Sequence, residues 1–154
     1  MKTMRRLLFA LLAVLAICSC DNTHMDGDWP PMKWDKTNYQ IVKVDNSSFY
    51  LVPAEGGTYT FHCKNYDGFW IGDGRFEYDG QVWHLCEVYE ENANNPNFER
   101  DWHHFAYNWI EVTAKKDAVL EVVFQPNDGT ERKADITVTA GDTFYTFAFK
   151  QSGK

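Results

Sequence analysis

Four histidines, His62, His84, His103 and His104, are the residues whose chemistry invites attention first, because His103 and His104 sit beside Asp101 and Glu99. Imidazole and carboxylate together could hold a metal or move a proton. Adjacent histidines on a strand point to opposite faces, so only one of the pair could join a site, and neither H-x-x-x-H nor Cys-x-x-Cys spacing occurs. No Gly-x-Ser-x-Gly nucleophile motif is present either. The expectation is therefore no catalysis, no metal and no cofactor. A different constellation is better matched to binding. Sugars lay the apolar face of a ring on a flat aromatic while polar side chains exchange hydrogen bonds with the hydroxyls. Trp83, Trp102 and Tyr107, accompanied by Arg100, Asp101 and Asn95, meet that description as candidate ligand-binding residues. Trp83 and Trp102 could equally bury themselves under the chain around them.

The amino terminus supplies a second kind of chemistry. Lys2, Arg5 and Arg6 precede an unbroken apolar run from Leu7 to Ile17 and then Cys18-Ser19-Cys20. About 20 apolar residues are needed to cross a bilayer, so this shorter run reads as a cleaved signal peptide over 1–19. Ile17-Cys18-Ser19-Cys20 resembles the bacterial lipobox, with Ser19 as the small residue before an acylated cysteine. Cys20 is the expected lipidation site, and palmitate-type acyl chains would hold the protein to the membrane by the lipid alone. The resemblance implies a lipoprotein of the outer membrane, on its periplasmic face or at the cell surface.

Removing the leader also removes its three basic residues, leaving 12 Lys and Arg against 22 Asp and Glu, a formal charge near −10. That balance argues against nucleic acid and anionic headgroups as partners. All six tryptophans remain, at positions 29, 34, 70, 83, 102 and 109, in a chain that is 16% aromatic. Two further cysteines, Cys63 and Cys86, would lie in an oxidising compartment after export. A disulfide between them is one outcome, and two buried thiols the other.

The elements that must position these residues are strands. From residue 20 to 47 the chain is polar and broken by Asp26-Gly27-Asp28 and Pro30-Pro31, which reads as a lipid-anchored tether, with Trp29 and Trp34 expected to pack back onto the domain rather than to form an early edge strand with Tyr39, Ile41 and Val42. From 48 to 154, short runs rich in Val, Ile, Thr, Phe and Tyr alternate with turn residues. Seven strands are expected: Ser48–Val52, Gly57–Lys64, Phe69–Ile71, Ile110–Thr113, Val119–Gln125, Ala134–Thr139 and Phe144–Lys150. Gly72-Asp73-Gly74 should close the third, and Asn127-Asp128-Gly129 and Ala140-Gly141-Asp142 should make hairpins. Phe147 and Phe149 share a face with Tyr145. The pattern is all-β, an immunoglobulin-like antiparallel β-sandwich of about seven strands.

Pro53-Ala-Glu55-Gly56-Gly57-Thr58, Trp70, Trp109-Ile110, Asn127 with Arg132, Ile136-Thr-Val138 and Gln151-Ser-Gly153 together resemble the BACON domain, a Bacteroidetes-associated carbohydrate-binding module. The resemblance spans about residues 48–154. It implies glycan binding, with mucin-type carbohydrate among the ligands, or equally a structural spacer or a protein-binding subunit of an envelope assembly. Paired glycines give a tight bend at a strand entry, and Trp70 and Trp109 are expected to fill the core. The chain departs from the family in an aromatic-rich insertion over about 75–106. Within it Gln81 to Glu90 alternates like a strand and Asn92 to Asn97 reads as an exposed turn.

Overall fold

The computed structural model describes residues 29–92 and 100–154. The leader, Cys20, Asn95 and all but the first residue of the turn expected over Asn92 to Asn97 lie outside the described residues, and Asn92 itself is helical. Among those described there are ten strands and one α-helix. They are β1 (Ile41–Val44), β2 (Ser47–Val52), β3 (Gly57–His62), β4 (Trp70–Tyr78), β5 (Gln81–His84), α1 (Leu85–Asn92), β6 (His104–Tyr107), β7 (Ile110–Lys115), β8 (Val119–Phe124), β9 (Arg132–Ala140) and β10 (Thr143–Gln151). They form an all-β sandwich. One sheet runs β1-β2-β10-β9-β4-β5 and the other β3-β8-β7-β6.

The seven expected strands are the frame, β2, β10, β9 and β4 facing β3, β8 and β7. The three additional strands sit at sheet edges, β1 outside β2, β5 outside β4 and β6 outside β7. Every ladder is antiparallel except that of β2 with β10, where Tyr50 meets Phe149 and Val52 meets Gln151 in parallel. Side chains of period two from both sheets meet in an aromatic core. Phe61 and Phe147 stand 4.4 Å apart by ring centroid, and Phe149 is 5.1 Å from Phe124. The outward residues of β9 and β10 are polar or small except Phe144.

Three local expectations change. Gly72 does not end the third strand: Ile71 pairs with Val138 and Asp73 with Thr137, so Gly72 is the extra residue of a bulge and β4 continues to Tyr78. Asn127-Asp128-Gly129 is not a hairpin, because β8 and β9 belong to different sheets. There the Asn127 amide instead donates to the Thr130 and Ser152 carbonyls, at 2.7 and 3.0 Å, and so turns the chain from one sheet to the other. The strand expected through Glu90 stops at His84, where the backbone N–H of His84 donates to Glu87 at 2.8 Å. That is the reciprocal half of a capping box, and it starts α1 with Leu85 and Tyr89 one turn apart on its inner side.

The segment from 29 to 47, read as part of a tether, is integral to the fold. Met32 is buried, and Trp34 packs on Phe147 at 4.7 Å and Phe69 at 5.3 Å. Trp34 bridges antiparallel to Cys63, flanked by bonds from Asp35 N to His62 O and from Lys64 N to Lys33 O. This short stretch thus pairs with the end of β3, whose edge it covers. The Tyr39 hydroxyl accepts from Thr60 N at 2.9 Å, and Trp29 stacks on Tyr66.

Several of the elements that carried the family resemblance converge on one corner, while Trp70 and Ile136-Thr-Val138 lie farther along β4 and β9. Gln151, fully buried, donates through Nε2 to the Gln125 and Pro53 carbonyls and accepts from Arg132 Nε at 2.8 Å. Arg132 also lies over the Trp109 ring at 4.3 Å and donates to Gln125 O. Gly56, with φ of +79°, lies against the Phe124 carbonyl where no side chain fits. Asn127 N bonds Ala54 O. These residues are structural, locking the end of the sandwich where β2, β8, β9 and β10 meet.

Cys63 and Cys86 are both free, so the disulfide is not formed; Cys63 is buried under Trp34's bridge and Cys86 is exposed on α1. A thiol reagent added to the folded protein should label Cys86 within minutes and reach Cys63 only on denaturation. Mass spectrometry of the labelled peptides checks this, and equal labelling of both thiols, or of neither, would contradict the packing.

Candidate functional site

β4 begins with Trp70, whose neighbour Ile71 points into the core, so the indole stands on the outer face of the six-stranded sheet and is 45% exposed. Trp70 pairs with Thr139 on β9, and Thr139 with Phe144 on β10, which is 65% exposed. Two aromatic rings therefore flank a threonine on one row of the sheet, about 10 Å apart at two strand spacings. The next row holds Asp73, Thr137 and Thr146, with the two threonine hydroxyls bonded at 2.8 Å. Farther along lie Arg75, Asp135, Glu77 and Lys133, linked by ion pairs of 3.3 to 3.7 Å. Burial raises the Asp135 carboxyl above the usual carboxylate range, and Arg75 beside it acts in the opposite sense. The face thus passes from aromatic through hydroxyl to ionic.

The segment before β6 brings Trp102 to the same end. The Ile71 N–H donates to Trp102 O at 2.8 Å, tying this segment to the start of β4. The Arg100 guanidinium lies 3.5 Å over the Trp102 ring and 4.6 Å from the Tyr89 centroid, and donates to Gly72 O at 3.0 Å. Gly72 is the bulged residue, so the irregularity in β4 presents the carbonyl that holds Arg100. Trp102 remains 46% exposed and lines, with Trp70 and Thr139, an open hollow of about 330 Å³. Burial raises the Tyr89 phenol above its ordinary value, opposed by the Arg100 charge. Exposed aromatics of this size gathered on one face are characteristic of binding surfaces.

The residues nominated from the sequence divide accordingly. Arg100, Asp101 and Trp102 come together, though Arg100 is committed to Gly72 and the rings, and Asp101 accepts the His103 N–H at 2.8 Å in a turn. Trp83, opposite Phe76 on β5, is half-buried against the core with its indole N–H enclosed, so it offers no open platform. Tyr107 ends β6 and packs on Phe76 at 5.4 Å beside Tyr78. Asn95 lies outside the described residues. Trp70, expected in the core, is instead the centre of the exposed face, whereas Trp109 is buried as expected. Phe144 was legible in principle, because alternation with Phe147 and Phe149 inward sends it outward.

The histidines are dispersed. His62 pairs with Asp35 and His104 with Glu111, both on the surface, and no group of three metal-ligating side chains occurs among the described residues. No helix among them is long and apolar enough to cross a membrane.

No protein-family model matches the chain, and no curated protein matches it. Among solved structures it is similar to the NMR structure of a protein from Bacteroides thetaiotaomicron, 28% identical with a TM-score of 0.56, over 88% of this chain and 98% of that one. The share covered is more than residues 48–154 could supply, so the likeness extends past the expected sandwich boundary.

Proposed function

We propose that the protein is a non-catalytic outer-membrane lipoprotein, held by acyl chains on Cys20, that binds glycan through the exposed indoles of Trp70 and Trp102. The observation that carries this reading is the pair of half-exposed rings beside Thr139, on a sheet face whose next row offers Asp73, Thr137 and Thr146 as hydrogen-bonding groups. Indoles supply wide rigid apolar area at small entropy cost, which suits the apolar face of a pyranose. The likeness to BACON domains points the same way. A spacer or protein-binding subunit is the second reading, favoured by Phe144, a highly exposed phenyl ring with no polar group of its own.

The test is acrylamide quenching of tryptophan fluorescence in residues 21–154, repeated across a panel of soluble glycans. One glycan class should protect saturably, and Trp70→Ala and Trp102→Ala should each weaken its binding roughly tenfold or more, equivalent to about 1.4 kcal/mol. Both variants should keep the parent thermal midpoint, since each ring is half in solvent. Accessible tryptophans that no glycan protects would sink the sugar reading and leave a protein partner.

A further inference from the structure

Trp70 is a wall shared by two hollows. Besides the one it forms with Trp102, it borders a groove of about 450 Å³ where the two sheets approach, lined also by Phe69, Asp67, His103, Lys115 and Lys116. Its sides come from three places in the chain: the loop into β4, the residue before β6, and the end of β7 with the tight turn after it. Ala114, buried, contributes to the lining and is fixed by its N–H bond to His103 O at 2.7 Å.

Lys115, Lys116, His103 and Asp67 line this groove beside Trp70. The Lys115 ammonium is taken up by Glu121 at 2.6 Å. Lys116 is exposed and has no carboxylate within ion-pairing distance among the described residues. His103 has only a loose approach of 3.9 Å to Asp101. An ammonium and an imidazole beside an exposed indole make a combination that neutral sugars do not need: the ring takes the apolar face, and the cation takes a negative substituent.

Building on the glycan reading, we infer that the ligand is an anionic saccharide, its ring laid on Trp70 and its carboxylate or sulfate directed to Lys116 and His103. The Trp70–Trp102 hollow then receives the adjoining sugar.

The experiment is titration calorimetry on the full chain in a neutral detergent, at low and high salt. The probes are a uronate-containing oligosaccharide, its carboxyl-reduced neutral counterpart, and a sulfated oligosaccharide of similar length. An acidic member should bind at least tenfold tighter than the neutral one at low salt, with the advantage shrinking as salt rises. The uronate and sulfate arms tell which substituent is preferred. Lys116→Ala should abolish the advantage without changing the neutral sugar's affinity, and Lys116→Arg should retain most of it. Trp70→Ala should weaken all three. Equal affinity for charged and neutral members, or an advantage indifferent to Lys116→Ala, overturns the anionic assignment while leaving glycan binding intact. Failure of every saccharide overturns both.

Discussion

Replacing Gln151 with leucine should cost about 3 to 4 kcal/mol of stability, although leucine is apolar, of comparable size and placed in a fully buried position. The reason is what the amide does. Its Nε2 donates to the Pro53 and Gln125 carbonyls at 3.2 and 2.9 Å, and its Oε1 accepts from the Arg132 guanidinium at 2.8 Å. Leucine removes all three bonds. A bond to a charged group contributes about 1.5 to 3 kcal/mol and a neutral one about 1, and Arg132, already partly desolvated, loses its buried acceptor. Urea unfolding followed by tryptophan fluorescence measures the cost. Because Arg132 is also stacked on Trp109, Arg132→Ala and Gln151→Leu should be strongly non-additive, with a coupling of about 1 kcal/mol or more. Independent, additive losses would mean that the corner is not a single network.

The second large effect concerns where the folded unit begins. A chain shortened to start at Ser48, the boundary suggested by composition, should fail to fold cooperatively, whereas one starting at Trp29 should fold. The shorter chain lacks Met32, Trp34, Tyr39 and β1. Trp34, partly buried, touches Phe69, Tyr145 and Phe147, and fully burying a large apolar side chain is worth about 1.5 to 3 kcal/mol, with Met32 and Tyr39 adding to it. Set against a total stability of about 5 to 15 kcal/mol, that loss together with an uncovered β3 edge is decisive. Near-UV circular dichroism and denaturant titration of the two chains make the comparison, and matching midpoints would show the amino-terminal packing to be dispensable.

The positions of the frame strands along the chain were readable because both signals there are local. Residues 57–63 and 144–149 alternate strictly, and the turns at Gly56-Gly57 and Gly141 need conformations that glycine adopts easily. What was not readable depended on partners distant in sequence. Trp70 shares its aromatic type with Trp109, and nothing local says that one faces water and the other Arg132. The pairing register, with its bulge at Gly72, decides it. Polar segments such as 33–36 do not advertise an antiparallel bridge, because the strand they cover lies nearly thirty residues away. The insertion was ambiguous for another reason: Gln81 to His84 alternates, and the capping residue Glu87 then redirects the chain to a helix. Of the candidate site, the sequence located Trp102 and Arg100, while Trp70, Phe144 and Lys116 required the sheet to assemble them.

The docking of residues 29–35 on the sandwich also sets a length scale. With acyl chains on Cys20, only residues 21–28 separate the lipid from the first residue held by the fold, and eight residues span at most about 29 Å. A free chain up to residue 47 would have allowed roughly three times that reach. Under the proposed anchoring at Cys20, the domain would be kept within a single protein diameter of the bilayer, a ligand it bound would have to come to the membrane surface, and any pull on that ligand would be borne first by the short pairing between residues 33–35 and the end of β3.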